Sequence, residues 1–330
     1  MLVKNFWTEL PKPLFAIAPM ADVTDEAFRR LIAKYSKVEG GVPYITYTEF
    51  VSADGLALAP EEGRKKLMRD LAYSQGEHPI VAQFFTAIPE HMERAAALAQ
   101  ELGFDGVDIN MGCPAGPINN QGAGAELIKS PALAREIIRA AKRGAPNIPV
   151  SVKTRLGYHK DTLEEWLPEI LAEDPAAVII HARTRKEMSA VPAHWDRVKR
   201  AVEIRDELKS QALLLGNGDV KNLAEARERA RESGADGIMV GRGIFGSPWF
   251  FADAPAPALL ERLRIAAEHT KDYEELLGDL KSFAIMKKHF KAYVEGFAGA
   301  RELRAELMEA KDASEVERII LEYSSKLQNK

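Results

Sequence analysis

At 330 residues, with 45 Lys and Arg against 49 Asp and Glu and a net charge of −4, the chain is long for one ordinary domain and too near neutrality to bind nucleic acid through bulk charge. Its one cysteine excludes an internal disulfide, and no apolar run is long enough to span a bilayer. No N-terminal signal pattern is present either, so the expectation is a cytoplasmic chain free of membrane contact.

In chain order, residues 14–18 (LFAIA) form a short apolar strand that runs into Pro19, Met20, Ala21, Asp22 and Thr24, after which Thr24 or Asp25 can cap a helix. Residues 44–49 (YITYTE) are β-branched and aromatic, the signature of a second strand, and 52–73 is charged and without period. A third strand is expected through Phe85 with Gln83 inside it, followed by a helix opened by Pro89 with Met92, Ala96 and Ala99 at helical spacing. The fourth strand, 107–109, opens the stretch 106–127 (GVDINMGCPAGPINNQGAGAEL), which sets Asn110, Gly112, Cys113 and Pro114 at its end before a helical run near Ala125. Asn, Gly and Pro are poor core residues, so this lone cysteine is a candidate acid, base or nucleophile rather than a small buried hydrophobe.

The alternation continues. Residues 149–153 end in Lys153, Thr154 and Arg155; 177–180 end in His181, Arg183, Thr184 and Arg185; 213–215 end in Gly216, Asn217, Gly218 and Asp219; 237–240 end in Gly241, Arg242 and Gly243. Eight strands alternating with helices over roughly 250 residues predict an α/β chain, a (β/α)₈ TIM barrel. Its reactive residues then gather at the C-terminal ends of the strands, where barrels build their sites. The GNGD and GRG turns follow strands seven and eight, a frequent phosphate seat, which points to a phosphorylated cofactor. His, Asp and Glu fall in no familiar ligand spacing, so no metal is expected. Beyond Trp249 and the Pro255–Pro257 linker the period becomes purely helical, predicting a small C-terminal all-α domain. There Lys281, Lys287, Lys288, His289 and Lys291, with Arg301 and Arg304 close behind, suggest a basic stripe for phosphates.

As an ordered set, APMADVTD (18–25), DINMGCP (108–114), VKTR (152–155), HARTR (181–185), GNGD (216–219), VGRG (240–243) and AYVEGFAGARELR (292–304) resemble the flavin-dependent tRNA-dihydrouridine synthases. The resemblance implies a catalytic barrel over 1–253 and a helical tRNA-recognition domain over 257–330. It also implies FMN, reduced by NADPH or NADH, as cofactor, and transfer of hydride to C6 of a uridine in tRNA with Cys113 protonating C5. By position, Pro19, Met20, Ala21, Gln83, Lys153, His181, Asn217, Gly218, Asp219, Gly241 and Arg242 would hold the flavin. Asn110, Arg155 and Arg183, with Lys287, Lys288, Lys291, Arg301 and Arg304, would meet the RNA. Two positions depart from the family pattern: Pro117 where many relatives are basic, and Ser189 where some carry Tyr. A monomer with tRNA as partner, and no protein partner, is expected. A small-molecule flavin oxidoreductase of the dihydroorotate dehydrogenase type is the alternative, against which the helical appendage speaks; a Schiff-base aldolase using Lys153 would also suit the barrel.

Overall fold

The computed structural model describes residues 5–328. Within them eight strands run parallel: β1 (Leu14–Ile17), β2 (Thr46–Ser52), β3 (Ile80–Phe85), β4 (Gly106–Met111), β5 (Val150–Arg155), β6 (Ala177–His181), β7 (Leu213–Asn217) and β8 (Gly237–Val240). They pair in the order β1-β8-β7-β6-β5-β4-β3-β2, and a parallel bridge between Ala16 and Ile45 joins the two outer strands, so the sheet curls into the expected barrel. Helices cover the outside and side chains fill the inside, which is why the strands read as apolar runs: every residue of β1, β3, β4 and β8 is buried.

The barrel interior changes character along its axis. Leu14, Ala16, Ile45, Tyr47, Val81, Ala177, Ile179, Leu215 and Met239 form one apolar cluster, with Phe6 and Trp7 of the short Phe6–Glu9 helix packed into it. Two residues further along the same strands stand Gln83 after Val81, His181 after Ile179 and Asn217 after Leu215. Because side chains alternate with period two, these positions share the inward face with the apolar residues before them. Register then sets the polar residues side by side: Gln83 opposite Asp108, Asn110 opposite Lys153, and His181 opposite both Arg155 and Asn217.

Local structure departs from the sequence expectation in several places. The 52–73 stretch, read as irregular, holds two helices, Ala53–Leu58 and Glu61–Asp70. The Ser52 side chain accepts the Gly55 N–H at 3.0 Å and caps the first, while the second buries no residue, so no apolar period could announce it. The run expected to be helical from Ala125 is a 3₁₀ segment, Gly124–Lys129, and regular helix starts only at Pro131. The strands β4, β5 and β7 outrun their predicted ends and carry Asn110, Arg155 and Asn217 within the sheet.

A second compact unit gathers Asp22–Val42, Tyr73–Glu77 and the chain from Gly243 onward. Its helices are Glu26–Ser36, Leu259–Leu277, Lys287–Tyr293, Ala300–Glu309 and Ala313–Gln328. Asp25 caps the first, its carboxylate accepting the Phe28 N–H at 3.0 Å. Phe28 stacks on His269 with ring centroids 5.0 Å apart and meets His289 at the same distance. His289 therefore belongs to the core and not to the basic stripe where the sequence suggested it; burial holds its pKa down to about 3, so it is neutral. No helix among the described residues is long and apolar enough to cross a membrane.

The unit's most exacting interaction is an ion pair removed from water. Arg29 Nε donates to Glu77 Oε2 at 2.6 Å with side chains 1% and 0% exposed, Arg29 Nη1 donates to the Thr24 carbonyl at 2.7 Å, and Glu77 Oε1 accepts the Ser74 N–H at 2.7 Å. Removing one partner strands the other charge in a dry site. Glu77→Ala is expected to lower the unfolding free energy by about 3–5 kcal/mol in urea titrations, and an unchanged midpoint would refute this account of the pair.

Candidate active site

The polar end of the barrel opens into a cavity of about 230 Å³ lined from every side of the ring. Of the residues assigned from sequence, Pro19, Met20, Gln83, Asn110, Cys113, Lys153, Arg155, His181, Arg183, Asn217, Gly218, Asp219, Gly241 and Arg242 line it. Ala21 is exposed and does not, while Lys287, Lys288, Lys291, Arg301 and Arg304 lie in the helical unit. Phe50 lines the cavity and was missed. The β2–β3 register slips between Tyr47, opposite Val81, and Phe50, opposite Gln83, so three residues of β2 span two of β3. Such a bulge turns a side chain that strict alternation would place on the other face, and nothing in the local sequence marks it.

Cys113 is pinned through its backbone. Its N–H donates to Asn110 Oδ1 at 2.9 Å, with the Gly112 N–H on the same oxygen at 3.1 Å, and its carbonyl accepts from Asn119 Nδ2 at 2.8 Å and from the Ala125 N–H at 3.1 Å. The chain returns so closely that a Cβ on Gly124, whose φ is +64°, would lie 2.9 Å from the Cys113 carbonyl oxygen. This is a glycine position on two counts. Burial pushes the thiol up from its ordinary value, against the Ala115 N–H, Lys153 and Arg155, which pull it down. The thiol thus stays protonated at neutral pH.

Beside it, Lys153 is a cation set into the barrel wall with no carboxylate at ion-pairing distance among the described residues. Burial, and then the Arg155 charge, bring its pKa down to about 8, with Asp108 and Cys113 acting the other way. Arg155 is spent on architecture: Nε donates to the Gly112 carbonyl at 2.7 Å and Nη1 to the carbonyls of Thr184 at 3.0 Å and Met188 at 3.3 Å, leaving Nη2 for a ligand. Arg183 is likewise committed, Nε to the Val191 carbonyl at 2.6 Å, Nη1 to His181 Nε2 at 3.2 Å and Nη2 to Asp219.

His181 is held neutral, its pKa driven well below 6.5 by burial and by the charges of Arg155, Lys153, Arg183 and Arg242. Burial raises Asp219, but the Ala193 N–H together with Arg183 and Arg242 outweighs it, and the carboxylate stays ionised. Asp219 thereby ties Arg183 to Arg242, whose Nη2 lies 2.8 Å from its Oδ1. Gly218, just before Asp219, has φ +137°, and a Cβ there would be 2.8 Å from that of Ala193. The lining is rich in donors and poor in acceptors, so it suits a ligand edge rich in carbonyl or phosphate oxygens.

The family model described as "Dihydrouridine synthase (Dus)" matches residues 16–329. A protein of Bacillus subtilis (strain 168) named "Probable tRNA-dihydrouridine synthase 2" is 39% identical over 330 residues, covering 98% of each chain. One of Staphylococcus aureus (strain Mu50) named "Probable tRNA-dihydrouridine synthase" is 38% identical over 329 residues, covering 98% of this chain and 97% of its own. Among solved structures, 6-hydroxypseudooxynicotine amine oxidase of Pseudomonas geniculata N1 aligns with TM-score 0.53 at 14% identity over 80% of this chain and 53% of its own. Histamine dehydrogenase of Rhizobium sp. 4-9 aligns with TM-score 0.51 at 13% identity over 78% and 48%. These two likenesses concern the fold alone. With a family match across nearly the whole barrel and helical region, and relatives this similar end to end, the chain belongs to the dihydrouridine synthase family.

Proposed function

We propose that this chain is a flavin-dependent tRNA-dihydrouridine synthase, reducing the C5–C6 double bond of uridines in tRNA with FMN as resident cofactor. The observation that carries the reading is the meeting, in one cavity, of a protonated thiol, Cys113, with an unpaired cation, Lys153. The residues present fit FMN. Lys153 offers a positive charge with nothing of its own to neutralise; Gln83 offers an amide N–H; Gly218, Gly241 and Arg242 offer close backbone approach and charge for a phosphate. Pro19 and Met20 supply apolar cover, and a Cβ on Gly241 would lie 3.7 Å from the Met20 sulfur.

Bound there, FMN would supply hydride chemistry for the C5–C6 bond, with NADPH or NADH as the source of its electrons. The proton is the chain's own. Cys113 Sγ–H gives it to C5, and the thiolate left behind faces the positive charges of Lys153 and Arg155 until solvent reprotonates it. Asn110 and Arg155, whose Nη2 has no protein partner among the described residues, would hold the uracil edge. A base inside folded RNA must leave its stack to enter such a cavity, and that cost is offset by phosphate contacts elsewhere. We assign these to the helical region 257–330, where Lys288, Lys291 and Arg301 are exposed and Lys287 is half-buried. Lys288 is 2.9 Å from Asp22, and Arg304 Nη1 donates to the Val294 carbonyl at 2.7 Å, so Lys287, Lys291 and Arg301 are the freer cations. The tRNA substrate and cytoplasmic location belong to this same reading.

Three outcomes test it. Cys113→Ala should keep the yellow flavin absorbance yet lower reduction of unmodified tRNA by about 10²–10⁴-fold; full activity would remove Cys113 from its role. Lys153 is charged below its pKa, so the affinity of the stripped protein for FMN should fall as pH rises through about 8 and should be pH-independent there in Lys153→Met. A wild-type affinity flat across that range would place the flavin away from Lys153. Lys287→Glu with Lys291→Glu should weaken tRNA binding and make the log–log salt slope shallower by about 1 for each lost phosphate contact, whereas an unchanged slope would move the RNA off this helix.

A further inference from the structure

Beneath the cavity lies a buried carboxylate to which the chemistry above gives no part. Asp108 is fully buried inside the barrel, Oδ1 accepting from Ser151 Oγ at 2.6 Å and Oδ2 from Gln83 Nε2 at 2.7 Å. Gln83 Oε1 in turn accepts from Asn110 Nδ2 at 3.0 Å, and Asn110 Oδ1 accepts the N–H groups of Gly112 and Cys113. A side-chain amide can point either way, and its two orientations exchange a donor for an acceptor. Here both ends of the chain are one-directional: a backbone N–H only donates, and the Asp108 carboxyl, which burial raises to about 6 against the pull of Ser151, Gln83 and Lys153, is ionised at neutral pH and only accepts. The two amides between them have one arrangement in which every link is made.

We propose that Asp108 is a positioning residue for Cys113: as an obligate acceptor it fixes the orientation of Gln83, through it that of Asn110, and so presents Asn110 Oδ1 to the cysteine's backbone. The relay crosses the β3–β4 register pair Gln83–Asp108 and returns to Asn110, two residues further along β4, so it follows from strand pairing and not from loop flexibility. It has a second consequence for the cavity. With both amides fixed, Gln83 and Asn110 each keep a spare N–H for a ligand, and Asn110 Oδ1, its two lone pairs taken by the Gly112 and Cys113 N–H groups, can accept nothing further. The relay orders Cys113 whatever the cavity binds.

Since Cys113 is the only cysteine, its alkylation by iodoacetamide reports the relay with no RNA or electron donor needed. The full chain, stripped of any bound flavin so that all variants are compared in one state, is alkylated as Asp108→Leu and as the pair Gln83→Glu with Asp108→Asn. The leucine removes the acceptor. The pair moves the carboxylate one link toward the cysteine, where it accepts from Asn110 Nδ2 and from the amide introduced at position 108, and every bond can still be made. Asp108→Leu should alkylate about fivefold faster than the parent, the opening expected from losing about one hydrogen bond, ~1 kcal/mol, and the pair should return to within about twofold of the parent. If the leucine variant does not fold, Gln83→Met cuts the relay at its next link and should show the same acceleration. Parental rates in the cut variants, or a pair as fast as they are, would overturn the proposal while leaving the flavin reading to its own tests.

Discussion

Strand register is the constraint on which the site depends. In a parallel barrel, inward positions of neighbouring strands meet at fixed offsets, so a polar residue at the right step of each strand is delivered to a common height without any loop having to find it. Gln83, Asn110, Lys153, His181 and Asn217 reach the cavity in this way; below Gln83, His181 and Asn217 the barrel is filled by Val81, Ile179 and Leu215, and below Asn110 and Lys153 by the hydrogen-bonded Asp108 and Ser151. A slip of one residue in any pairing would turn that strand's contribution to the outer, helix-covered face. The loop that carries Cys113 is the exception that still obeys the rule: Cys113 lies past the end of β4, yet its backbone is tied back to Asn110 within that strand.

Burial does opposite things to the groups gathered there. It raises the Cys113 thiol and lowers Lys153, so at neutral pH one keeps a proton it can give and the other keeps a charge held only about one pH unit below its pKa. The two effects are coupled, since each group's charged form favours that of the other. A negative ligand edge beside Lys153 would raise its pKa and secure the charge; proton release from Cys113 would do the same. The cavity thus gains positive potential where charge accumulates, a preorganised electrostatic setting that water would screen.

Much of this was legible in the sequence because the same residues carry two signals. Apolar runs ending in Asn110, Lys153, His181 and Asn217 declare both a buried strand and a polar tip, so barrel and cavity emerge together. What escaped was what lacks a period. The Glu61–Asp70 helix buries nothing, and the β2 bulge that brings in Phe50 is a matter of pairing, not composition. His289 looked basic among lysines; only tertiary packing against Phe28 and His269 shows it to be a neutral core ring. Arg155 and Arg183 were recognised as site residues, but their spending on backbone carbonyls and neighbouring side chains depends on loops that sequence cannot position.

The one-way logic that orders Cys113 operates again on the far side of the cavity. A guanidinium can only donate, so Arg183 Nη1 at 3.2 Å requires His181 Nε2 to be the acceptor, and a neutral imidazole then carries its proton on Nδ1. Asp219, which only accepts, holds the same guanidinium in place from its other end. The site is therefore bounded by fixed donors and acceptors at Arg183 and Asp219 as it is at Asp108, and the groups between them, two amides and an imidazole, inherit a single polarity. Ligand binding then proceeds against a lining whose hydrogen-bond directions were set on folding, with little left to reorganise as charge moves.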